Sequence, residues 1–520
     1  MTLLGLIPIE IIDAIIPYLW EEVPEPPPLG SWEVEKKPPS RGLASYATIS
    51  QKWRFAIERY TFASLVTFSD DLFRLKQIVG NCPRRRSHVK ELWFSIDLPL
   101  YSDSRRNYLE RPEEHKANLA VFQQGVQDIW EELLRWNEEC PASGMKLVLN
   151  ADAPVDRGRE TSKYCGIGGP RERWERVQHF LSLDQPRLPP LPSISELGIS
   201  FTGRQFHPSA IESLILSLPA LRQLHLFIGA PKPINHELRA EHRAILARAL
   251  HSPTLHKLEF LSIRMWYDTP NNHSWDMSPA HDLSYPQGDV LNRAICKLAQ
   301  RSLRYLNLIG AYPISPALWG EGEERNDTSS TKIIFPYLQK VYIMHSHITY
   351  DGRWLYTGHP VTPPPDHGQE PISRPPIVAE HDHDWDALEL ESAISITRDR
   401  LENGDYPSHE WRVWPDPETF YPLIRSLGRA VLRMPKLKSL RVELYTRTFL
   451  DNRIMMQIAA PGEKAGVLHW TRRVEDNLGQ WRWIVLLESD LEDWKFPADI
   501  PQLMKNKVGN DGVVIIQQFP

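Results

Sequence analysis

The run His381-Asp-His-Asp-Trp-Asp386 has the residue types that come closest to a metal site. Imidazole nitrogens and carboxylate oxygens are ligands for zinc and related metals. A metal site also needs a rigid scaffold and outer partners that orient its ligands, whereas this run follows a proline-rich stretch and has no second ligand pair at motif spacing. We therefore predict a solvated acidic loop and no metal site. A metal-dependent hydrolase built on His381 and His383 is the remote alternative.

The other residues with metal-binding or phosphate-binding potential do not indicate a catalytic site. His345 and His347 end a predicted strand on one face without an evident third ligand, so packing or surface roles are favoured. The glycines of "CGIGG" at 165–169 lack the Lys-Ser/Thr pair of a phosphate-binding loop. No G-x-S-x-G, H-E-x-x-H or kinase-like set occurs in the chain. The sequence therefore predicts a protein that is not an enzyme and that uses no cofactor.

Composition narrows the class of protein. The chain has 520 residues, of which 41% are hydrophobic and 24% charged, and a formal net charge of -6. These values are typical of a globular protein and do not favour a nucleic-acid binder; the basic run at 84–86 is predicted to be a solvated loop. Four widely spaced cysteines favour a reducing compartment. No apolar run is long enough for a membrane span, so we expect a cytoplasmic and/or nuclear protein with no membrane partner.

The first predicted element that could present functional residues is an apolar helix near residues 8–19. One row of it follows helical spacing: Ile9, Ile12, Ile16 and Leu19. Ile11 and Ile15 form a second apolar row. Pro8 suits a helix start, and Pro17 predicts that the helix ends or kinks near Ile16. No Lys or Arg precedes the apolar run, which argues against a secretory signal.

A second helix is predicted after a proline-rich surface loop at 21–42. It spans "LASYATISQKWRFAIERYTF" and carries one apolar face: Leu43, Ala47, Ser50, Trp53 and Ile57. A helix with two apolar rows needs neighbours on more than one side. The first 65 residues are therefore predicted to be two helices separated by a proline-rich loop.

The pair "PIEIIDAIIPYL" and "LASYATISQKWRFAIERYTFASL" resembles the F-box over residues 4–65. The matching positions are Pro8, Glu10, Ile11, Ile12, Ile15, Tyr18, Leu19, Leu43, Ile49, Ser50, Lys52, Trp53 and Arg54. The loop at 21–42 is longer than the family's, and Pro17 takes a position that is more often serine-like. The resemblance implies an F-box-like helical domain at 1–66 that binds a Skp-family adaptor and, through it, a cullin. It implies these adaptor-facing residues: Leu6, Pro8, Ile11, Ile12, Ile15, Leu19, Ile49 and Trp53.

From residue 87 onward the chain repeats a form close to P-x-L-x-x-L-x-L, whose second half alternates like a short strand. The segments are 87–97, 192–201, 219–228, 253–263, 301–310, 336–345 and 435–444. Helical stretches precede several of them, and "MKLVLNA" is a further predicted strand. Strand–turn–helix units of this kind stack and share one core. Their spacing is irregular, since Leu197, Leu224, Leu258 and Leu306 lie 27, 34 and 48 residues apart.

We therefore predict an α/β (α+β) fold, with the F-box helices followed at 67–520 by an irregular solenoid that resembles leucine-rich repeats. A plain α/β domain is the alternative. Long loop insertions are predicted at about 266–287 and 350–386, and "GQWRWIVLLES" is predicted to be the last strand and cap. Tryptophans in predicted loops are candidate target-binding anchors: Trp266, Trp275, Trp354 and Trp385. Packing of each insertion onto its own domain is the competing interpretation.

The resemblance to the F-box implies a substrate-recognition subunit of a Skp–cullin–F-box ubiquitin ligase, and we expect its solenoid to bind an unidentified target protein. The alternative is a repeat scaffold without a ligase, in which the N-terminal helices only cap the solenoid. The two differ in where the apolar rows of residues 1–65 pack. Packing against residues 87–150 favours the cap, and large exposure of Pro8, Ile12 and Trp53 favours docking.

Overall fold

A large, mostly parallel β-sheet organises the chain into a mixed α/β fold. The computed structural model describes residues 7–19, 43–102, 105, 108–139, 144–153, 178–184, 187–200, 203–266, 270–275, 288–321, 333–361, 400–401, 403–406, 409–445, 452–463, 478–487, 491 and 493–518.

The α-helices in the described ranges are α1 (Ile9–Leu19), α2 (Leu43–Tyr46), α3 (Gln51–Thr61), α4 (Leu72–Leu75), α5 (Pro83–Arg86), α6 (Pro112–Glu139), α7 (Pro208–Leu216), α8 (His236–Leu250), α9 (Val290–Arg301), α10 (Phe420–Leu432) and α11 (Asp499–Val508). Short 3₁₀ turns occupy Ser69–Asp71, Pro253–Lys257 and Pro316–Trp319, and a π-helical turn occupies Lys76–Gly80.

The strands in the described ranges are β1 (Ser64–Phe68), β2 (Glu91–Asp97), β3 (Met145–Asp152), β4 (Ile194–Ile199), β5 (Gln223–Gly229), β6 (Phe260–Trp266), β7 (Tyr305–Tyr312), β8 (Lys340–His345), β9 (Tyr356–Thr357), β10 (Trp414–Pro415), β11 (Ser439–Tyr445), β12 (Asn452–Ala459), β13 (Arg482–Leu487) and β14 (Val513–Gln518).

The main sheet follows the order of the chain. Its sequence of neighbours is β1 to β8, then β11, β12, β13 and β14. Strands β1 to β8 and β11 are parallel, β12 is antiparallel to both of its neighbours, and β14 is parallel to β13. Because right-handed crossovers between sequential parallel strands lie on one face, this order places the connecting helices on the same side.

One face of the sheet packs on these helices and forms the main core. In β5 the core residues are Leu224, Leu226 and Ile228, and in β6 they are Leu261, Ile263 and Met265. This alternation is the period of two expected for a strand. The cluster is continuous from Leu72 to Val508 and takes side chains from the helices between the strands. The opposite face of β2 to β11 carries most of the sheet's polar side chains, and we call it the polar face.

The sequence predicted all seven repeat segments as strands, together with the strand at "MKLVLNA", and the structure confirms them as β2 to β8 and β11. Three local predictions are wrong. The strand at "GQWRWIVLLES" is not the last one, because α11 and β14 follow it. Of the end or kink predicted near Ile16, the end does not occur, since α1 continues through Pro17 to Leu19. Pro17 has no N–H to donate to Asp13 O, so α1 loses one intrahelical hydrogen bond without ending there.

The third wrong prediction concerns the helix over residues 43–62, which is two helices. Ser50 adopts an extended backbone, and its Oγ accepts a hydrogen bond from Trp53 N at 3.3 Å, so it caps α3. A serine that bonds the first free amides of a helix favours a start over a continuation. In the described ranges, no helix combines the length and the apolarity needed to cross a membrane.

Candidate functional surfaces

The helices α1 to α3 form a unit with its own small core, which we call the helical unit. Its buried side chains are Ile12, Ile16, Leu43, Trp53, Ala56 and Ile57. None of these residues belongs to the main core. Tyr46 stacks on Trp53 with ring centroids 6.3 Å apart. The row of α1 that begins at Ile9 therefore packs on α2 and α3, and not on residues 87–150.

The second row of α1 faces away from this core. Ile11 is 50% exposed and Tyr18 is 88% exposed. Ile15 lies between them on the same side and is half-buried at the edge of the small core. Pro8 is also exposed at the start of the helix. The described part of the helical unit thus presents an apolar strip along one side of α1.

An ion pair fixes the two long helices of the unit. Both carboxylate oxygens of Asp13 in α1 accept hydrogen bonds from the Arg59 guanidinium in α3. Both side chains are partly exposed, so this pair contributes little to the free energy of unfolding. Both contacts are made by one guanidinium nitrogen, Arg59 Nη2, which links α1 to α3 at a single point.

A second set of charges joins the helical unit to the sheet domain. Glu58 of α3 is buried and accepts hydrogen bonds from Arg84 and Arg85 of α5; the distance from Arg85 Nη2 is 2.8 Å. The Arg84 guanidinium also lies 3.8 Å from the ring centroid of Phe55. The prediction that residues 84–86 form a solvated loop is therefore wrong. The burial of Glu58 requires a compensating positive charge, and these arginines supply it.

The predicted adaptor-facing residues divide into three groups. Leu6 lies outside the described residues. Ile12 and Trp53 are buried in the small core and support the helical unit from within. The remaining five line the edge or the outside of the unit: Pro8, Ile11, Ile15, Leu19 and Ile49. Tyr18 was absent from the predicted set although it occupies a matching position, and its exposure places it beside Ile11 on the strip.

The polar face carries a ladder of alternating charges across β2 to β5. Lys146 Nζ lies 2.9 Å from Glu91 Oε1 and 3.2 Å from Glu196 Oε1, and His225 Nε2 lies 3.3 Å from the same Glu196 oxygen. Burial lowers the pKa of Lys146, but the Glu196 and Glu91 carboxylates outweigh that effect and raise it above its ordinary value. Burial raises the pKa of Glu196, whereas the His225 and Lys146 contacts bring it below its ordinary value. The charges in this half of the face are therefore matched internally.

Aromatic rings continue the polar face toward the middle of the sheet. The Phe260 ring lies between His225 and Tyr305, at centroid distances of 4.7 and 6.0 Å. Further along, Tyr342 Oη donates a hydrogen bond to Glu443 Oε2 at 3.2 Å. Partly buried aromatic side chains among matched charges are typical of surfaces that bind proteins. This arrangement offers contact area and orientation to a bound protein.

The two predicted target anchors whose side chains the structure describes do not face solvent. Trp275 and Trp354 are buried in the main core, as the competing interpretation of self-packing insertions expects. The ring of Trp354 lies 4.9 Å from that of His273, which joins the two described parts of the insertions. The side chain of Trp266 and all of Trp385 lie outside the described residues.

One histidine cluster was not recognised in the sequence. Glu110 is buried and accepts hydrogen bonds from Arg204 Nη2 at 2.8 Å, from Asn118 Nδ2 at 2.5 Å and from His179 Nδ1 at 2.9 Å. Burial raises the pKa of Glu110, but Arg204 and His179 outweigh it and hold the pKa at about 2. His115 stands beside the cluster, and burial together with His179 lowers its pKa to about 4. No single stretch of sequence brings these residues together, since they are up to 94 positions apart.

The geometry of this cluster is unfavourable for a metal ion. Glu110, His115 and His179 have candidate ligand atoms within 4.8 Å of one another. The Glu110 oxygens, however, already accept bonds from Arg204, Asn118 and His179. The His115 and His179 rings are stacked 4.3 Å apart at 17°, so their lone pairs lie in two nearly parallel planes and do not converge on one point between the rings. A cation would also be repelled by the Arg204 guanidinium. The cluster is better explained as a buried ion-pair network beside an open cleft of about 600 Å³.

Of the histidines weighed as metal ligands, the structure describes His345 and His347. His345 and His347 are both buried, and burial lowers the pKa of His345 to about 3. The acidic run 381–386, including His381 and His383, lies outside the described residues.

Comparison with known proteins does not assign the chain to a family. No protein-family model matches the chain. A search of curated proteins likewise finds no similar sequence.

Proposed function

We propose that this protein is the substrate-recognition subunit of a Skp–cullin–F-box ubiquitin ligase. The helical unit binds a Skp-family adaptor, and the sheet domain binds the protein to be ubiquitinated. The chain itself performs no chemistry, because its role is to raise the effective concentration of the target near the ligase. The observation that carries the proposal is the exposed apolar strip of α1, in a segment whose sequence resembles an F-box.

The packing of α1 does not match the capping interpretation, and it meets the docking criterion at Pro8 alone, because Ile12 and Trp53 are buried in the core of the helical unit. A cap would bury its apolar rows against the first strands of the solenoid. Instead, the inner row of α1 is buried by α2 and α3, and the outer row at Ile11 and Tyr18 is solvent-exposed. A few large apolar side chains on an exposed helix are the anchors expected for helix-mediated recognition.

The sheet supports the solenoid interpretation of the remaining chain. Sequential parallel strands whose described connecting helices pack on one face are what stacked strand–turn–helix units produce. The polar face is then the free surface of those units. Its matched charges and partly buried aromatic rings are suited to a folded or peptide target.

A binding experiment with matched variants tests this proposal. The double variant Ile11→Asp/Tyr18→Ser changes only exposed positions, so the helical unit should remain folded while co-purification with a Skp-family adaptor is lost. Leu100→Asp alters an exposed apolar residue of the sheet domain and serves as the control, with adaptor binding retained. Retention of adaptor binding by the double variant, or failure of the wild-type chain to bind, would contradict the proposal.

A further inference from the structure

The last strand of the sheet, β14, leaves one edge without a partner among the described residues. It pairs with β13 through residues 513–518 and has no described strand on its other side. Its sequence, Val-Val-Ile-Ile-Gln-Gln, has no charge and no proline. Natural sheets usually protect an edge with charged residues, proline or a bulge. An edge without these features is a template for pairing with another strand.

Side chains at this edge are also apolar on both faces. Val514 and Ile516 lie on the helix side and are 36% and 48% exposed. Ile515 lies on the opposite side and packs partly on the small cluster of Met455, Ile484 and Leu486. A strand added beside β14 would therefore extend apolar contacts on each face of the sheet.

We propose that a second copy of this chain occupies the edge, through antiparallel pairing of two β14 strands about a two-fold axis. The inference is independent of the proposed function. Identical strands fit because neither brings a charge into the contact. The other possible occupants are strand β1 of another copy and a segment of the chain outside the described residues, and both are outcomes of the test below.

Backbone geometry selects the register of this pairing. Val513 N donates to Trp481 O at 2.8 Å, toward β13, so the amides of alternate residues, Val514 and Ile516, point to the open edge. In an antiparallel pair, residues whose backbone groups face each other form the hydrogen-bonded pairs. When Val514 of each copy lies opposite Ile516 of the other, the dimer contains two such hydrogen-bonded pairs. It also sets apolar residues opposite apolar residues on the helix side.

The same register brings Ile515 opposite Ile515 of the second copy. These two residues form a non-hydrogen-bonded pair, in which the side chains approach most closely. Their Cβ separation should then be close to that of a disulfide. A pairing of one short strand per copy buries a limited area, so the dimer should be a weak one that forms at high protein concentration.

Sedimentation velocity over a range of concentrations tests the interface with the full chain. The wild-type protein should pass from monomer to dimer as concentration rises. Ile516→Lys places a charge on the edge and should weaken dimerisation by about tenfold or more, without changing the thermal midpoint of unfolding. Leu100→Lys, at an exposed position remote from this edge, should leave dimerisation unchanged.

Cysteine cross-linking tests the register. Ile515→Cys should give a disulfide-linked dimer on a non-reducing gel, more efficiently than Gln518→Cys or the wild type with its native cysteines. A monomer at every concentration would overturn the proposal, as expected if another segment of the chain covers the edge. Dimerisation that Ile516→Lys does not affect, or stronger cross-linking at 518 than at 515, would also overturn it. Growth into long oligomers would overturn it as well, because it indicates pairing of β14 with β1 of another copy.

Discussion

Two adjacent isoleucines of α1 distinguish the core of the helical unit from its surface. Ile12 is 0% exposed and Ile11 is 50% exposed. Ile12→Ala removes three buried carbons from a core of only six buried side chains, so the loss should be about 3 kcal/mol, within the range for buried aliphatic truncations. That loss corresponds to roughly a hundredfold increase in the opened population of the unit. Ile11→Ala removes carbons that are already half in water and should cost less than about 1 kcal/mol.

Hydrogen exchange measured by mass spectrometry resolves these effects by segment. In Ile12→Ala, peptides from α1 and α3 should exchange roughly a hundred times faster than in the wild type, because the unit opens locally. Peptides from β5 and β6 should exchange at the wild-type rate, since they belong to the separate main core. In Ile11→Ala, all of these peptides should behave as in the wild type. Equal effects of the two substitutions, or slow exchange of α1 in Ile12→Ala, would refute the described packing.

Two further predictions concern buried charges and histidines. Glu58→Gln leaves Arg84 and Arg85 without their carboxylate and should lower the free energy of unfolding by about 1.5 kcal/mol, because both arginines are partly exposed, as chemical denaturation would measure; an unchanged denaturation midpoint would refute the bridging role of Glu58. Burial, aided at His242 by the neighbouring His207, lowers the native pKa of His242 and His345 to about 3. In the unfolded chain both histidines bind protons below about pH 6.5. Each histidine should therefore lower the unfolding free energy by about 2 kcal/mol as the pH falls from 7 to 5. An unfolding free energy that stays constant or rises on acidification would contradict this.

Matched variants control both of these experiments. Arg425→Met breaks the exposed pair with Asp499 and should change the unfolding free energy by less than about 1 kcal/mol, because exposed ion pairs contribute little. Replacing His345 with Gln should make the loss of stability between pH 7 and pH 5 smaller than in the wild type. An equal pH dependence in the two proteins would show that protonation of His345 is not responsible.

The strands of the main sheet could be predicted because their signal is local. Each repeat segment sets two or three leucines at fixed spacing before an alternating run, and that pattern depends on few residues at a time. Strand β14 lacks the preceding leucines and was therefore missed. The break at Ser50 was missed for a related reason, since its side chain fits helical spacing whether it caps a helix or continues one.

The candidate surfaces were less accessible from the sequence because they depend on distant contacts. Helical spacing identified both rows of α1, but only the packing of α2 and α3 decides that Ile12 is inside and Ile11 outside. The Glu110–Arg204 pair joins residues 94 positions apart, and no spacing rule relates them. The burial of Trp275 likewise depends on insertions that pack back onto their own domain.

The central claim, that the helical unit binds a Skp-family adaptor, is tested most directly by hydrogen exchange of the full chain with and without the purified adaptor. The proposed docking predicts slower exchange in α1 and α3 when the adaptor is added, with the strands of the main sheet unchanged. It also predicts that Ile11→Asp/Tyr18→Ser abolishes this protection. Exchange in α1 and α3 that does not respond to the adaptor would contradict the claim.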